Sequence, residues 1–178
     1  MEPKEGKSTK AVKISEKRSF GIIPLIKKGD NKYDVILINN ISGAQWDFPK
    51  GKPEKEDKST LDSAIREFQE ELGTDYVPDV IKERSFKIEY EYSYKKQKCH
   101  KIVEFWVGFV KDKKVEDFKP QATEVKEIRI YDSKEALEKI THEESKKLLE
   151  EALAYLEAIK AETAWINHLI SWVYQWRD

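Results

Sequence analysis

The stretch GKPEKEDKSTLDSAIREFQEELGTD, residues 51–75, decides how the rest of the chain is read. Its second half predicts a helix over 60–72. Ser59 stands where an N-cap belongs, Asp62 follows three residues on, and Gly73 occupies the C′ position that favours glycine. Leu61, Ile65, Phe68 and Leu72 recur at helical spacing and form an apolar stripe for a core. Glu67, Glu70 and Glu71 fall at i, i+3 and i+4, so their carboxylates converge on another face and repel one another. A Glu-rich solvated face is ordinary in a chain that is 38% charged. The alternative is a hard divalent cation, which resolves the repulsion through oxygen ligands. The setting favours the cation: Arg66 precedes Glu67 and can clamp a carboxylate or phosphate, and WDFPKG (46–51) brings a glycine carbonyl close by.

Around this helix the chain alternates between strand and turn signals. SFGIIPL (19–25) and YDVILI (33–38) read as strands joined by the turn KKGDNK, with Gly and Asn supplying positive φ. ERSFKIEYEYSY (83–94) and KIVEFWVGFV (101–110) alternate as strands across a basic loop, and VKEIRIY (125–131) leads into helices at 133–140 and from 143 onward. The order of strands, helix, strands, helix indicates one α+β domain with a mixed sheet. Residues 1–18 hold six basic and three acidic side chains and read as a flexible basic arm. The domain is expected over 19–157, with a Trp-rich helical extension over 158–178. Along that last helix Leu149, Leu156, Thr163 and Ile170 share one seam position of a heptad register. Ala152, Ile159, Ile166 and Val173 share the other, a pattern that allows a homodimer through the C-terminal helix.

Composition narrows the function classes. With 178 residues, 33 basic against 34 acidic side chains and a net charge of −1, the chain is not a generally basic nucleic-acid binder. A single cysteine excludes an internal disulfide and a Cys-based zinc site. No apolar run reaches membrane-spanning length and no secretory signal opens the sequence, so a cytoplasmic protein is expected.

Residues 51–74 resemble the Nudix box, G-x5-E-x7-R-E-U-x-E-E-x-G-U with U apolar; Arg66 to Gly73 satisfy R-E-U-x-E-E-x-G without a gap. Gly51 to Arg66 spans fifteen positions where the pattern has fourteen. Counting back from Arg66 places Lys58 at the box's first Glu, with Glu56 and Asp57 beside it. Thr74 replaces the last apolar residue. The resemblance implies an αβα sandwich and hydrolysis of a nucleoside diphosphate linked to X, with Mg²⁺ (Mn²⁺ as a substitute) held by Glu67, Glu70, Glu71 and the Gly51 carbonyl. Arg66 belongs to the same catalytic set.

SFGIIPL and W-x-FPKG are most similar to the diadenosine tetraphosphate hydrolase branch, which implies cleavage to ATP and AMP. In that branch an acidic residue follows the long return strand, and Glu124 matches it as a metal ligand or general base; a surface Glu opening a strand is the plainer reading. Lys50 and Lys101 are the expected phosphate contacts, and Tyr90, Tyr92, Tyr94 and Phe105 are the candidate aromatics for the nucleobase, of which Tyr92 and Phe105 are taken. WDFPKGK is also similar to RNA 5′-pyrophosphohydrolases and mRNA-decapping enzymes, with RNA as the partner. A non-catalytic nucleotide-binding module is the alternative from another class.

Overall fold

A computed structural model of the chain describes residues 14–175 apart from 30, 44 and 96, with side chains up to residue 166. Seven strands and three α-helices are described, with one 3-10 turn at Val115–Asp117: β1 (Ser15–Gly29), β2 (Lys32–Asn40), β3 (Gln45–Asp47), β4 (Lys50–Gly51), α1 (Thr60–Leu72), β5 (Asp79–Tyr94), β6 (Gln97–Phe109), β7 (Val125–Asp132), α2 (Ser133–Lys139) and α3 (Glu143–Gln175). They build one mixed sheet in the order β3-β2-β1-β6-β5, with β4 paired to β1 and β7 to β2. The β1–β6 pair is parallel and every other described pair is antiparallel.

Strand alternation gives the sheet two buried faces. Phe20, Ile22, Ile36, Ile38 and Trp106 meet Ala64, Phe68 and Leu72 of α1 on one side. Ile23, Leu25, Leu37, Phe86, Val103 and Phe105 meet Ala136 of α2 and Leu148, Leu149, Ala152 and Leu156 of α3 on the other. The result is the α+β domain with a mixed sheet that the element order predicted, arranged as the αβα sandwich that the resemblance implied.

Helix α1 begins and ends where its sequence indicates. The Ser59 hydroxyl accepts from the Asp62 amide at 3.1 Å. Gly73 adopts the left-handed conformation, φ 61°, and a Cβ there would sit 1.6 Å from the Lys119 carbonyl oxygen. Asn31 and Gly29 supply the positive φ of the β1–β2 turn.

One boundary moves. β1 starts at Ser15, so residues 15–18 of the expected arm belong to the sheet, paired with Cys99 to Ile102. Their charges conceal a strand because Glu16, Lys17 and Arg18 are all exposed, and their ladder partner lies over eighty residues away. The remainder of the arm, 1–13, lies outside the described residues. In α3 the heptad seam changes character along its length: Leu149, Ala152 and Leu156 are core, whereas Thr163, Trp165 and Ile166 are exposed. The first half of the seam is therefore spent inside the domain. The side chains of Ile170, Val173 and the remaining tail tryptophans lie outside the described residues. No helix among the described residues is long and apolar enough to cross a membrane.

Candidate active site

The site forms where α1 meets β4. The Glu71 carboxylate is buried and accepts the Lys50 backbone N–H at 2.7 Å, which ties the end of α1 to the strand. The Glu67 carboxylate lies flat against Gly51; a Cβ there would fall 2.0 Å from Glu67 Cδ. Only glycine permits that approach.

Arg66 turns back along the helix and organises the cluster. One terminal nitrogen donates to Glu67 at 3.0 Å and to Glu70 at 2.9 Å. The other donates to the Lys52 carbonyl at 2.7 Å, and with Nε the guanidinium forks onto Asp57 at 3.1 and 3.2 Å. Asp57 also accepts from the Ser63 hydroxyl at 2.7 Å and the Glu54 amide at 2.8 Å. In this structure Arg66 clamps carboxylates and the loop.

Asp57 also locates the extra residue of the loop. Counted forward from Gly51 it is the seventh position, where the box places its acid, so the insertion lies between Asp57 and Arg66. Counting back from Arg66 carried that insertion into the register and landed on Lys58. The hydrogen bonds to Arg66 hold the Asp57 carboxyl far below the usual range, with the Glu54 amide adding to the effect.

The inner glutamates behave in the opposite sense. Burial pushes Glu71 up to about 7, against the pull of the Lys50 amide and ammonium, with Glu67 and Glu124 adding repulsion. Burial likewise raises Glu67, opposed by Arg66 and assisted by Glu70 and Glu124. Glu124 thus lies within electrostatic reach of the same centre; its backbone carbonyl accepts from the Ile41 amide at 3.0 Å just before β7. Among the described residues no three acidic, histidine or cysteine side chains are gathered tightly enough to enclose a metal ion. Mg²⁺ does not require this, since it is usually held by one or two carboxylates together with waters and substrate phosphates. The all-oxygen donors Glu67 and Glu71 and the Gly51 cradle fit such a hard cation.

A cleft of about 410 Å³ opens beside this cluster, lined by Lys50, Asp47, Tyr90, Phe105, His142 and Glu144 among others. Burial disfavours the Lys50 ammonium, but Asp47 at 2.9 Å and Glu71 outweigh it and hold its pKa above the ordinary range. Lys101 donates to the Ser19 hydroxyl and is half-buried; burial, then Lys50, Lys52 and Lys17, push its pKa down. Lys50 and Phe105 therefore line the cleft together. Tyr92 does not: it is paired with Cys99, two residues farther along the strand, and Tyr90 takes the cleft position. Period-2 alternation puts both tyrosines on one face and cannot say which one reaches the cleft. Asp47 and His142 went unselected because the fold alone brings residues 47 and 142 together.

The chain matches the NUDIX domain family over residues 16–152. The mRNA-decapping protein g5R of African swine fever virus is 42% identical over 71 residues, covering 34% of this chain and 28% of that protein. The m7GpppN-mRNA hydrolase of Saccharomyces cerevisiae is 38% identical over 53 residues, covering 28% of this chain and 5% of that protein. This chain thus spans about a quarter, or less, of the length of these curated relatives. Among solved structures, a Caenorhabditis elegans Ap4A hydrolase binary complex superposes with a TM-score of 0.66 at 19% identity, covering 80% of this chain and 98% of that one; at that identity the likeness concerns the fold. With the box clamped by Arg66 at the expected place in the sandwich, the chain belongs to the NUDIX domain family.

Proposed function

We propose that the chain is a metal-dependent pyrophosphohydrolase acting on a nucleoside diphosphate linked to X, with a dinucleoside polyphosphate as substrate. The observation that carries this reading is the crowding of Lys17, Lys50, Lys52 and Lys101 beside the buried glutamates. Burial lowers the Lys101 pKa, Lys50, Lys52 and Lys17 lower it further, and a ligand bearing several phosphates relieves that repulsion. The adjacent cleft, with Tyr90 and Phe105 in its walls, suits one nucleobase.

In this reading Glu67, Glu71 and the Gly51 carbonyl hold Mg²⁺ or Mn²⁺, with Glu70 joining from the same helix face. The cation supplies charge neutralisation at the pyrophosphate and a lowered pKa for water. Arg66 keeps Glu67 and Glu70 oriented, and Lys50 and Lys101 align the phosphate chain. Glu124 accepts the proton of the attacking water. One water is added across one P–O–P bridge, so diadenosine tetraphosphate gives ATP and AMP.

The identity to decapping proteins over about a third of the chain or less favours a second reading, in which X is RNA. Chromatographic product analysis with diadenosine tetraphosphate, and in parallel with capped and 5′-triphosphorylated RNA, separates the two. Metal-dependent ATP plus AMP supports the first reading. Turnover of RNA alone transfers the assignment to the second, and binding without turnover of any of them leaves a nucleotide-binding module.

A further inference from the structure

The outer half of the sheet carries an asymmetry that extends well past the residues assigned to nucleotide hydrolysis. Beyond the cleft, the N-terminal part of β1, the start of β6 and the end of β5 continue as a three-stranded arm. In it Tyr90 pairs with Lys101, Tyr92 with Cys99 and Tyr94 with Gln97, while Lys17 pairs with Lys101 and Ser15 with Cys99. Alternation sends successive residues to opposite faces, and here it sorts the side chains by chemistry. One face holds Tyr90, Tyr92 and Tyr94 with Lys17, Ser19 and Lys101 and contains no acid. The other holds all four acids of the arm, Glu16, Glu89, Glu91 and Glu104, interleaved with Arg18, Lys87, Lys98 and His100. Contacts on that acidic face agree with the parity: Glu89 lies 3.4 Å from His100, and Glu104 accepts from Ser85 and pairs with Lys87.

The three tyrosines are also unusually open for large rings, at 46%, 38% and 59% exposure. Tyr90 and Tyr92 have ring centroids 6.1 Å apart, and the Lys95 ammonium lies over the Tyr94 ring. A row of solvent-facing rings beside lysines, with every acid removed to the far side, is the composition of a surface that stacks bases and tracks a phosphate backbone. Its inner end, Tyr90, is a wall of the cleft that contains Lys50.

We propose that the tyrosine face of this arm is a binding strip for single-stranded nucleic acid, leading outward from the cleft. The inference goes beyond the dinucleotide reading and does not depend on it, because binding is read without turnover.

The test is fluorescence anisotropy of the full chain with a labelled ten-nucleotide single-stranded RNA bearing a 5′-hydroxyl, which has no pyrophosphate to cleave. Base–aromatic stacking of the usual strength predicts that Tyr92→Ala/Tyr94→Ala raises Kd about tenfold or more. Lys17→Ala should reduce the slope of log K against log salt by about 0.7, the value for one phosphate on a single strand. Glu89→Gln/Glu91→Gln, on the opposite face, should not weaken binding. Because Tyr92 is paired with Cys99, Tyr94→Ala alone serves as the variant least able to disturb the fold, with a severalfold rise in Kd expected. The proposal is overturned if the wild-type chain does not bind the decamer at about 50 mM salt, or if the double tyrosine variant binds as tightly as wild type while melting normally. It is also overturned if the glutamate variant loses affinity to the same extent.

Discussion

Gly51→Ala isolates the contact on which the glutamate cluster depends. A Cβ at this position meets Glu67 Cδ at 2.0 Å and its two carboxylate oxygens at 2.1 and 2.2 Å. Non-bonded carbon atoms settle near ~3.5 Å, so the carboxylate must retreat by roughly 1.5 Å. The backbone of Gly51 cannot take up that distance easily, since it is paired to Phe20 in the middle of the sheet. Glu67 in turn is tethered by Arg66 at 3.0 Å. Overpacking of this kind costs about 1–3 kcal/mol of stability, and a displacement near 1 Å at a reacting centre costs on the order of 10²-fold in rate. The assay is metal-dependent hydrolysis at saturating Mg²⁺ alongside urea melts of Gly51→Ala, Glu67→Ala and the double variant. Because the clash is with a side chain, Gly51→Ala should cost little once Glu67 is alanine, giving a coupling energy comparable to the single-variant cost. Wild-type turnover in Gly51→Ala, or an equal stability cost in both backgrounds, would refute this account of the glycine.

Three further outcomes are expected. Glu71→Gln should abolish most hydrolysis while its melting temperature stays level or rises, because burial already disfavours the charged carboxylate; a clear fall in melting temperature, or retained turnover, contradicts the assignment. Asp57→Asn should cost about 1.5–3 kcal/mol, the range for a charge-assisted hydrogen bond. Asp57's folded pKa is depressed, so its contribution is present above the ordinary value of 3.8 and is lost as pH falls below it, where the unfolded chain binds the proton first. Urea melts at low pH should therefore show a shallower acid loss in Asp57→Asn than in wild type, and identical slopes would count against the Arg66 clamp. Finally, we propose that the exposed outer part of α3, with Trp165 and Ile166, pairs two chains; sedimentation should give a dimer that becomes a monomer on truncation after Lys160, and unchanged mass disposes of the idea.

The parts of this fold legible in sequence are those whose causes are local. Ser59, Asp62 and Gly73 mark the ends of α1 because capping involves groups within four residues of each other. The stripe Leu61, Ile65, Phe68 and Leu72 shows which side of α1 faces the core, and the alternation E-Y-E-Y-S-Y shows which residues of β5 share a face, although there both faces are exposed. The convergence of Glu67, Glu70 and Glu71 follows from helix geometry alone. Asp57 was less legible, since one inserted residue displaces a count made from Arg66 and only the hydrogen bonds show which acid the arginine reaches.

What the sequence determined by itself was therefore the helix, its acidic face, the strand alternation and the family pattern they form. Tertiary structure alone decided the rest: that Ser15 to Arg18 join the sheet through β6, that Tyr90 and not Tyr92 lines the cleft with Asp47 and His142, and that the heptad seam of α3 is core at Leu149 but open at Ile166. Each of these depends on contacts between residues far apart in the chain. Periodicity specifies which residues share a face, but the pairing of distant strands and helices determines what that face meets.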